Sequence, residues 1–141
     1  MMVSTKGRYA LRIMIDLAEN SGGNYVPLAD IAKREDISEK YLESIVGVLS
    51  KNGFLDALRG KGGGYRLNRS ADEYTVGSIL KLTEGSLAPV SCLEGPNTCS
   101  RVSECRTISM WTTLYKMIDD YFENITVGDL LRDESGGDFV I

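Results

Sequence analysis

The chain has 141 residues, 43% hydrophobic and 26% charged, a size and balance that suit one globular domain with an added arm rather than a disordered segment. It contains no His, which excludes His-based acid–base catalysis, Ser-His and Cys-His nucleophile systems and any His-ligated metal, so an enzyme is not expected. The net charge of −4 conceals an asymmetry: residues 1–70 hold 11 Lys/Arg against 8 Asp/Glu, or +3, and residues 71–141 hold 5 against 12, or −7. Local potential steers an anionic partner where net charge does not, so the positive N-terminal half is the place to look for one.

The opening stretch, "MMVSTKGRYALRIMIDLAEN", is broken by Arg12 and Asp16, which argues against a signal peptide or membrane span. Three Cys, an odd number crowded into one stretch, do not make a secreted disulfide scaffold, and a cytoplasmic location is expected. With Ser4 or Thr5 as N-cap, Tyr9, Ala10, Ile13, Met14 and Leu17 fall on one face and predict a first helix over residues 5–20. A second helix of about three turns opens at Pro27, with Leu28, Ile31 and Ala32 inward. A third begins with Ser38 as N-cap, buries Leu42, Ile45, Val46 and Leu49, and stops at Asn52-Gly53.

Two helices joined by about four residues, the second polar at its start, match a helix-turn-helix. The next segment, residues 54–69, reads as a hairpin whose Gly-rich tip lies in "RGKGGGYRL". That tip contains neither G-x-x-x-x-G-K-[ST] nor a complete G-x-G-x-x-G, so it is not a nucleotide-phosphate loop. The fold class predicted is mainly α with a small β-hairpin wing: a winged helix-turn-helix plus a long dimerisation helix. Arg59 and Lys61 on the wing are placed for a DNA backbone or minor groove, and glycine would let the tip approach phosphates closely. The start of the third helix offers Ser38, Glu39, Lys40, Tyr41, Glu43 and Ser44 to the major groove of double-stranded DNA. Glu43 accepts from a cytosine amino group, supplying discrimination rather than affinity, or is a solvated helix-face charge, or pairs with Lys40 or Lys51.

Residues 1–70 thus form a DNA-binding unit, residues 71–134 a linker helix, Cys loop and dimerisation helix, and residues 135–141 a flexible tail. The linker helix "TVGSILKLTEG" is capped by Thr75 and a last short helix, "TVGDLLRDE", by Thr126. Between them, Ile108, Trp111, Leu114, Tyr115, Ile118, Tyr121, Phe122 and Ile125 make a helical stripe too aromatic for one small domain to cover. Pairing with the same helix of a second subunit, a homodimer, would bury it and supply two DNA half-sites. Cys92, Cys99 and Cys105 stand at C-x6-C-x5-C in a polar loop, where crowded thiolates repel unless a cation joins them. An iron–sulfur cluster, a zinc ion or a thiol switch each fits that spacing, the first two lacking a fourth ligand; three solvated cysteines of no consequence are the remaining reading. The tail "SGGDFVI" ends in Phe139, Val140 and Ile141, which either fold back onto the long helix or offer a carboxylate and apolar side chains to a partner's pocket.

The segments "STKGRYAL", "PLADIAKREDISEKYLESIVGVLSKNG", "RGKGGGYRL", "TVGSILKLTEG" and "NITVGDLL" together resemble the Rrf2 family of bacterial winged-helix regulators, from residue 2 to about residue 132. The resemblance implies a homodimeric repressor or activator that senses iron–sulfur or sulfur status, with the three loop cysteines as ligands of a 2Fe-2S or 4Fe-4S cluster. It implies base reading by Ser38, Tyr41 and Glu43, and a groove contact by Arg59. Cluster-binding members complete the site with a His three residues after the last Cys, or with an acid in the first helix. Those positions are Ile108 and Arg8 here, which leaves the fourth ligand unknown. A cysteine-metabolism repressor without a cluster is the alternative. It would be signalled through a cysteine synthase held by the C-terminal tail, as tails of the acid–aromatic–Val–Ile kind are held by that enzyme.

Overall fold

A computed structural model describes residues 3–94 and 104–133. Helix α1 (Thr5–Asn20) starts where the Ser4 hydroxyl accepts from the Gly7 N–H, and it buries Ala10, Ile13, Met14 and Leu17. Helix α2 is Leu28–Glu35, with Pro27 as N-cap and Asp36 as C-cap in the left-handed region at φ 53°. It is two turns long rather than three, because that left-handed residue ends it ahead of Ile37, which is itself buried. Helix α3 (Glu39–Lys51) is capped by the Ser38 hydroxyl, and Leu42, Ile45, Val46 and Leu49 are its buried stripe, as the 3.6-residue period predicts.

Strands β1 (Leu55–Leu58) and β2 (Gly64–Leu67) pair antiparallel, Leu55 opposite Leu67 and Leu58 opposite Gly64. Val26 adds a third, one-residue rung by exchanging N–H···O bonds with Tyr65 at 2.8 and 2.9 Å. Arg66 lies over the Tyr25 ring at 4.3 Å and donates to the Gly23 carbonyl, so the hairpin is braced against the α1–α2 loop. The glycines of the tip have an internal reason that the sequence reading lacked. A Cβ on Gly63 would strike the Leu58 carbonyl and keep the turn from closing, and one on Gly64 would strike the Val26 carbonyl and push off the added rung.

Helix α4 (Val76–Glu84) packs on α1, and α5 (Ile108–Glu123) packs on α4. Helix α6 (Val127–Arg132) returns to α1, which also touches α2, α3 and β2 and so is the hub of the molecule. Tyr74, 1% exposed, enters the core beside these helices and donates its hydroxyl to the Phe54 carbonyl at the root of the hairpin. Thr75 and Thr126 face each other across an isolated antiparallel bridge, closed by Val76 N–H to Ile125 O at 2.8 Å and Val127 N–H to Tyr74 O at 2.9 Å. This clasp ties the far end of α5 to the start of α4.

Candidate nucleic-acid interface and cysteine loop

Ser38, Lys40, Tyr41 and Ser44 line a shallow hollow of about 350 Å³ at the start of α3. The Tyr41 backbone N–H donates to the Ser38 hydroxyl at 3.2 Å, and the Ser44 hydroxyl donates to the Tyr41 carbonyl at 2.7 Å. The first turn is therefore satisfied internally while its side chains stay at the surface. Ser38, Glu39, Lys40, Glu43 and Ser44 are exposed and Tyr41 is half-buried. Glu43 makes no ion pair with Lys40 or Lys51 among the described residues, so the paired-charge reading is set aside. Arg59 and Lys61 stand exposed at the wing tip, likewise without ion-pair partners among the described residues. A polar helix start and a free cationic wing on one braced scaffold offer donors to base edges and charge to phosphates.

The turn between α2 and α3 is held from α1. Buried Asp16, 3% exposed, accepts a forked pair from Arg34 at 2.9 and 2.8 Å. One turn earlier, Arg12 donates to the Glu35 carboxylate at 3.1 Å and to the Glu35 carbonyl. Burial and the neighbouring Asp16 carboxylate push the Glu35 carboxyl above its ordinary value, against the pull of Arg12. Asp16 counted in the sequence only as an interruption of an apolar run. Its place on the inward face of α1 was the signal for a buried charge that needs a partner.

Cys92 and Cys105 are free, half-buried thiols, and Cys99 lies outside the described residues. The Thr107 hydroxyl stands 3.2 Å from the Cys105 sulfur, and with the backbone N–H groups of Thr107 and Ile108 it holds that thiol below its ordinary pKa. A thiol eased toward thiolate is the form that ligates iron or zinc, so the donor chemistry at Cys105 fits a metal or cluster. Among the described residues no group of three or more Cys, Asp or Glu is gathered as a metal site. The tail residues Phe139, Val140 and Ile141 also lie outside the described residues.

Helix α5 presents two apolar faces. Tyr115, Ile118 and Phe122 pack with Val76, Leu80 and Leu87, while Met110, Leu114, Met117 and Tyr121 are 55, 38, 61 and 53% exposed. The exposed ridge repeats at intervals of four, three and four residues, and its two methionines were absent from the stripe read from the sequence. No helix among the described residues is long and apolar enough to cross a membrane.

The helix-turn-helix, its wing and the exposed polar start of α3 define a winged helix-turn-helix DNA-binding regulator. The chain belongs to the Rrf2 family, whose model, described as an iron-dependent transcriptional regulator, matches residues 3–133. The HTH-type transcriptional regulator IscR of Vibrio campbellii is 39% identical over 133 residues, 94% of this chain and 79% of that protein. Among solved structures, CymR, the global cysteine regulator of B. subtilis, superposes with a TM-score of 0.75 at 34% identity, covering 93% of this chain and 96% of CymR. T. potens IscR superposes with a TM-score of 0.75 at 36% identity, covering 97% and 91%. These relatives are named as transcriptional regulators, none as an enzyme.

Proposed function

We infer that this regulator binds double-stranded operator DNA as a homodimer and senses iron–sulfur or sulfur status. The observation that carries the DNA reading is the hollow at the start of α3 beside a braced wing whose tip cations Arg59 and Lys61 have no ion-pair partner among the described residues. In this reading Ser38, Tyr41 and Glu43 read bases, Glu39, Lys40 and Ser44 flank them, and Arg59 and Lys61 hold the backbone or minor groove. Its test uses a duplex from the region upstream of its own coding sequence. Arg59→Ala should weaken binding to all sequences and flatten the salt slope by about 1, whereas Glu43→Ala should relax base preference. Unchanged affinity and salt dependence in Arg59→Ala would take the wing off DNA.

The ridge Met110, Leu114, Met117 and Tyr121 supports the homodimer, since four large apolar side chains in one line are costly to leave in water. Cys92, Cys99 and Cys105 would hold an iron–sulfur cluster, with the easily ionised Cys105 thiol in favour. When bound, a cluster supplies a redox- and iron-sensitive charge at the loop preceding α5. Protein purified anaerobically and reconstituted with iron and sulfide should absorb in the visible, and Cys→Ala variants should not. Colourless protein would leave the cluster-free reading, in which Phe139, Val140 and Ile141 enter a cysteine synthase. The similarity to CymR, described as a global cysteine regulator, supports the cysteine-metabolism part of that alternative. Calorimetric titration of the synthase with a "GGDFVI" peptide tests it, and no heat of binding would end it.

A further inference from the structure

The Tyr41 ring meets a ring from another helix. The Tyr9 and Tyr41 ring centroids are 5.8 Å apart at 63°, an edge-to-face arrangement. The Arg12 guanidinium lies over the Tyr9 ring at 5.1 Å, and Arg12 is itself anchored on Glu35 at 3.1 Å. One face of α1 thus grips both sides of the helix-turn-helix: Arg12 holds the last residue of α2, and Tyr9 meets the first turn of α3. Tyr9 and Tyr41 are both half-buried at the edge of the main core, so neither ring is confined on all sides by packing alone. The Ser38 cap fixes the Tyr41 backbone but leaves its side-chain torsions free. The ring contact restricts that freedom before any DNA is bound.

We propose that Tyr9, held by Arg12 and Glu35, is a positioning residue that sets the Tyr41 ring for DNA reading, so that operator discrimination depends on a side chain that reads no base. The proposal rests on the assignment of Tyr41 as a reading residue. A preorganised side chain loses less entropy on binding, and the gain appears only where its contact is specific. Having to order one freed side chain on binding corresponds to about three- to tenfold in affinity.

The test compares the upstream duplex with a scrambled duplex of equal length, using the full chain. Tyr9→Leu should lower affinity for the upstream duplex about three- to tenfold and leave scrambled-duplex affinity and salt slope unchanged. Tyr9→Phe, which keeps the ring, should bind as the parent does. Arg12→Met, which lies outside the core, should shift discrimination in the same direction should Tyr9→Leu fold poorly. In a Tyr41→Ala background, Tyr9→Leu should add nothing. Equal losses on both duplexes, additive effects in the double variant, or a defect in Tyr9→Phe would each overturn the positioning role. If Tyr41→Ala leaves discrimination intact, the reading role of Tyr41 falls and the positioning role with it. A defect in Tyr41→Ala beside a silent Tyr9→Leu overturns the positioning role alone.

Discussion

Thr75 and Thr126 sit opposite one another in an antiparallel bridge, and each opens a helix with the same three residues, Thr-Val-Gly. The likeness extends further. Asp72 and Glu123 lie three residues before their threonines, and Lys81 and Arg132 six residues after. Each acid crosses to the other copy: Asp72 meets Arg132 at 3.0 Å, and Glu123 meets Lys81 at 3.4 Å. The acids rest where Gly77 and Gly128 carry no Cβ, since a methyl there would strike the Glu123 and Asp72 carboxylates respectively. Two short motifs, 51 positions apart in the chain, thus form one clasp with approximate two-fold symmetry.

The clasp predicts unequal costs for equal substitutions. The Thr126 hydroxyl accepts from Asp129 N–H, and the Thr75 hydroxyl both accepts from Ser78 N–H and donates to the Glu123 carboxylate. Thr126→Ala should cost about 1 kcal/mol, the usual value of a lost helix cap. Thr75→Ala should cost more, by about 0.5–1 kcal/mol for the second hydrogen bond. Urea unfolding midpoints measure both, and equal midpoints would show that the Thr75–Glu123 bond contributes nothing.

Asp16 and Arg34 predict a second asymmetry. The carboxylate is buried while the guanidinium is 38% exposed, so only one partner can recover water when the pair is broken. Arg34→Ala should cost about 2–3 kcal/mol, less than the full penalty for a wholly buried pair. Asp16→Asn keeps one acceptor and strands no charge, and should cost about 1 kcal/mol. Denaturant midpoints in the order parent, Asp16→Asn, Arg34→Ala are expected, and the reverse order of the two variants would contradict this account.

Glu35 gives the pH dependence. Burial and then the Asp16 carboxylate raise its pKa above the ordinary 4.5, so the folded chain holds this proton more tightly than the unfolded chain does. The resulting stability is fully present below 4.5 and is lost as pH rises through the folded-state value. Glu35→Gln cannot titrate and keeps an oxygen for Arg12. Stability curves of parent and variant should therefore diverge as pH climbs past 4.5, the parent losing ground. Parallel curves would mean that Glu35 titrates normally.

The helix-turn-helix and wing were legible because short-range rules decide them. Ser38 caps α3, Leu42 to Leu49 repeat at helical spacing, and glycines mark the tip of the hairpin. Partners distant in sequence were not legible. Nothing near Tyr9 in the chain announces Tyr41, and Arg34 is an ordinary helix-end cation until Asp16 is seen beneath it. The repeat "TVGSILK"/"TVGDLLR" was readable by comparing the chain with itself, although only the structure shows its halves joined. On α5, periodicity marked the apolar residues but merged two faces into one stripe. Which face α4 covers is a tertiary fact, set by Tyr115, Ile118 and Phe122 meeting Val76 and Leu80.

That division of α5 yields the last prediction. Tyr115, Ile118 and Phe122 belong to the fold of one subunit, whereas Met110 and Met117 are mostly exposed within it. A groove of about 700 Å³ runs along this outer face, lined by Trp111, Leu114 and the two methionines with Arg106, Ser109 and Thr113 at its margin. A carboxylate at position 117 costs an isolated subunit little, because the site is already 61% exposed there. In a homodimer built on this ridge, the same carboxylate would be desolvated against apolar side chains, with no partner given by the ridge itself. Met117→Glu should therefore keep the helical circular-dichroism spectrum and give a monomer in sedimentation equilibrium at concentrations where the parent is a dimer. Its affinity for a palindromic duplex should fall to that of a single half-site. Ile118→Glu, one residue along, places the charge against α4 and should instead unfold the subunit. A dimer that survives Met117→Glu would move the interface to another face of the molecule.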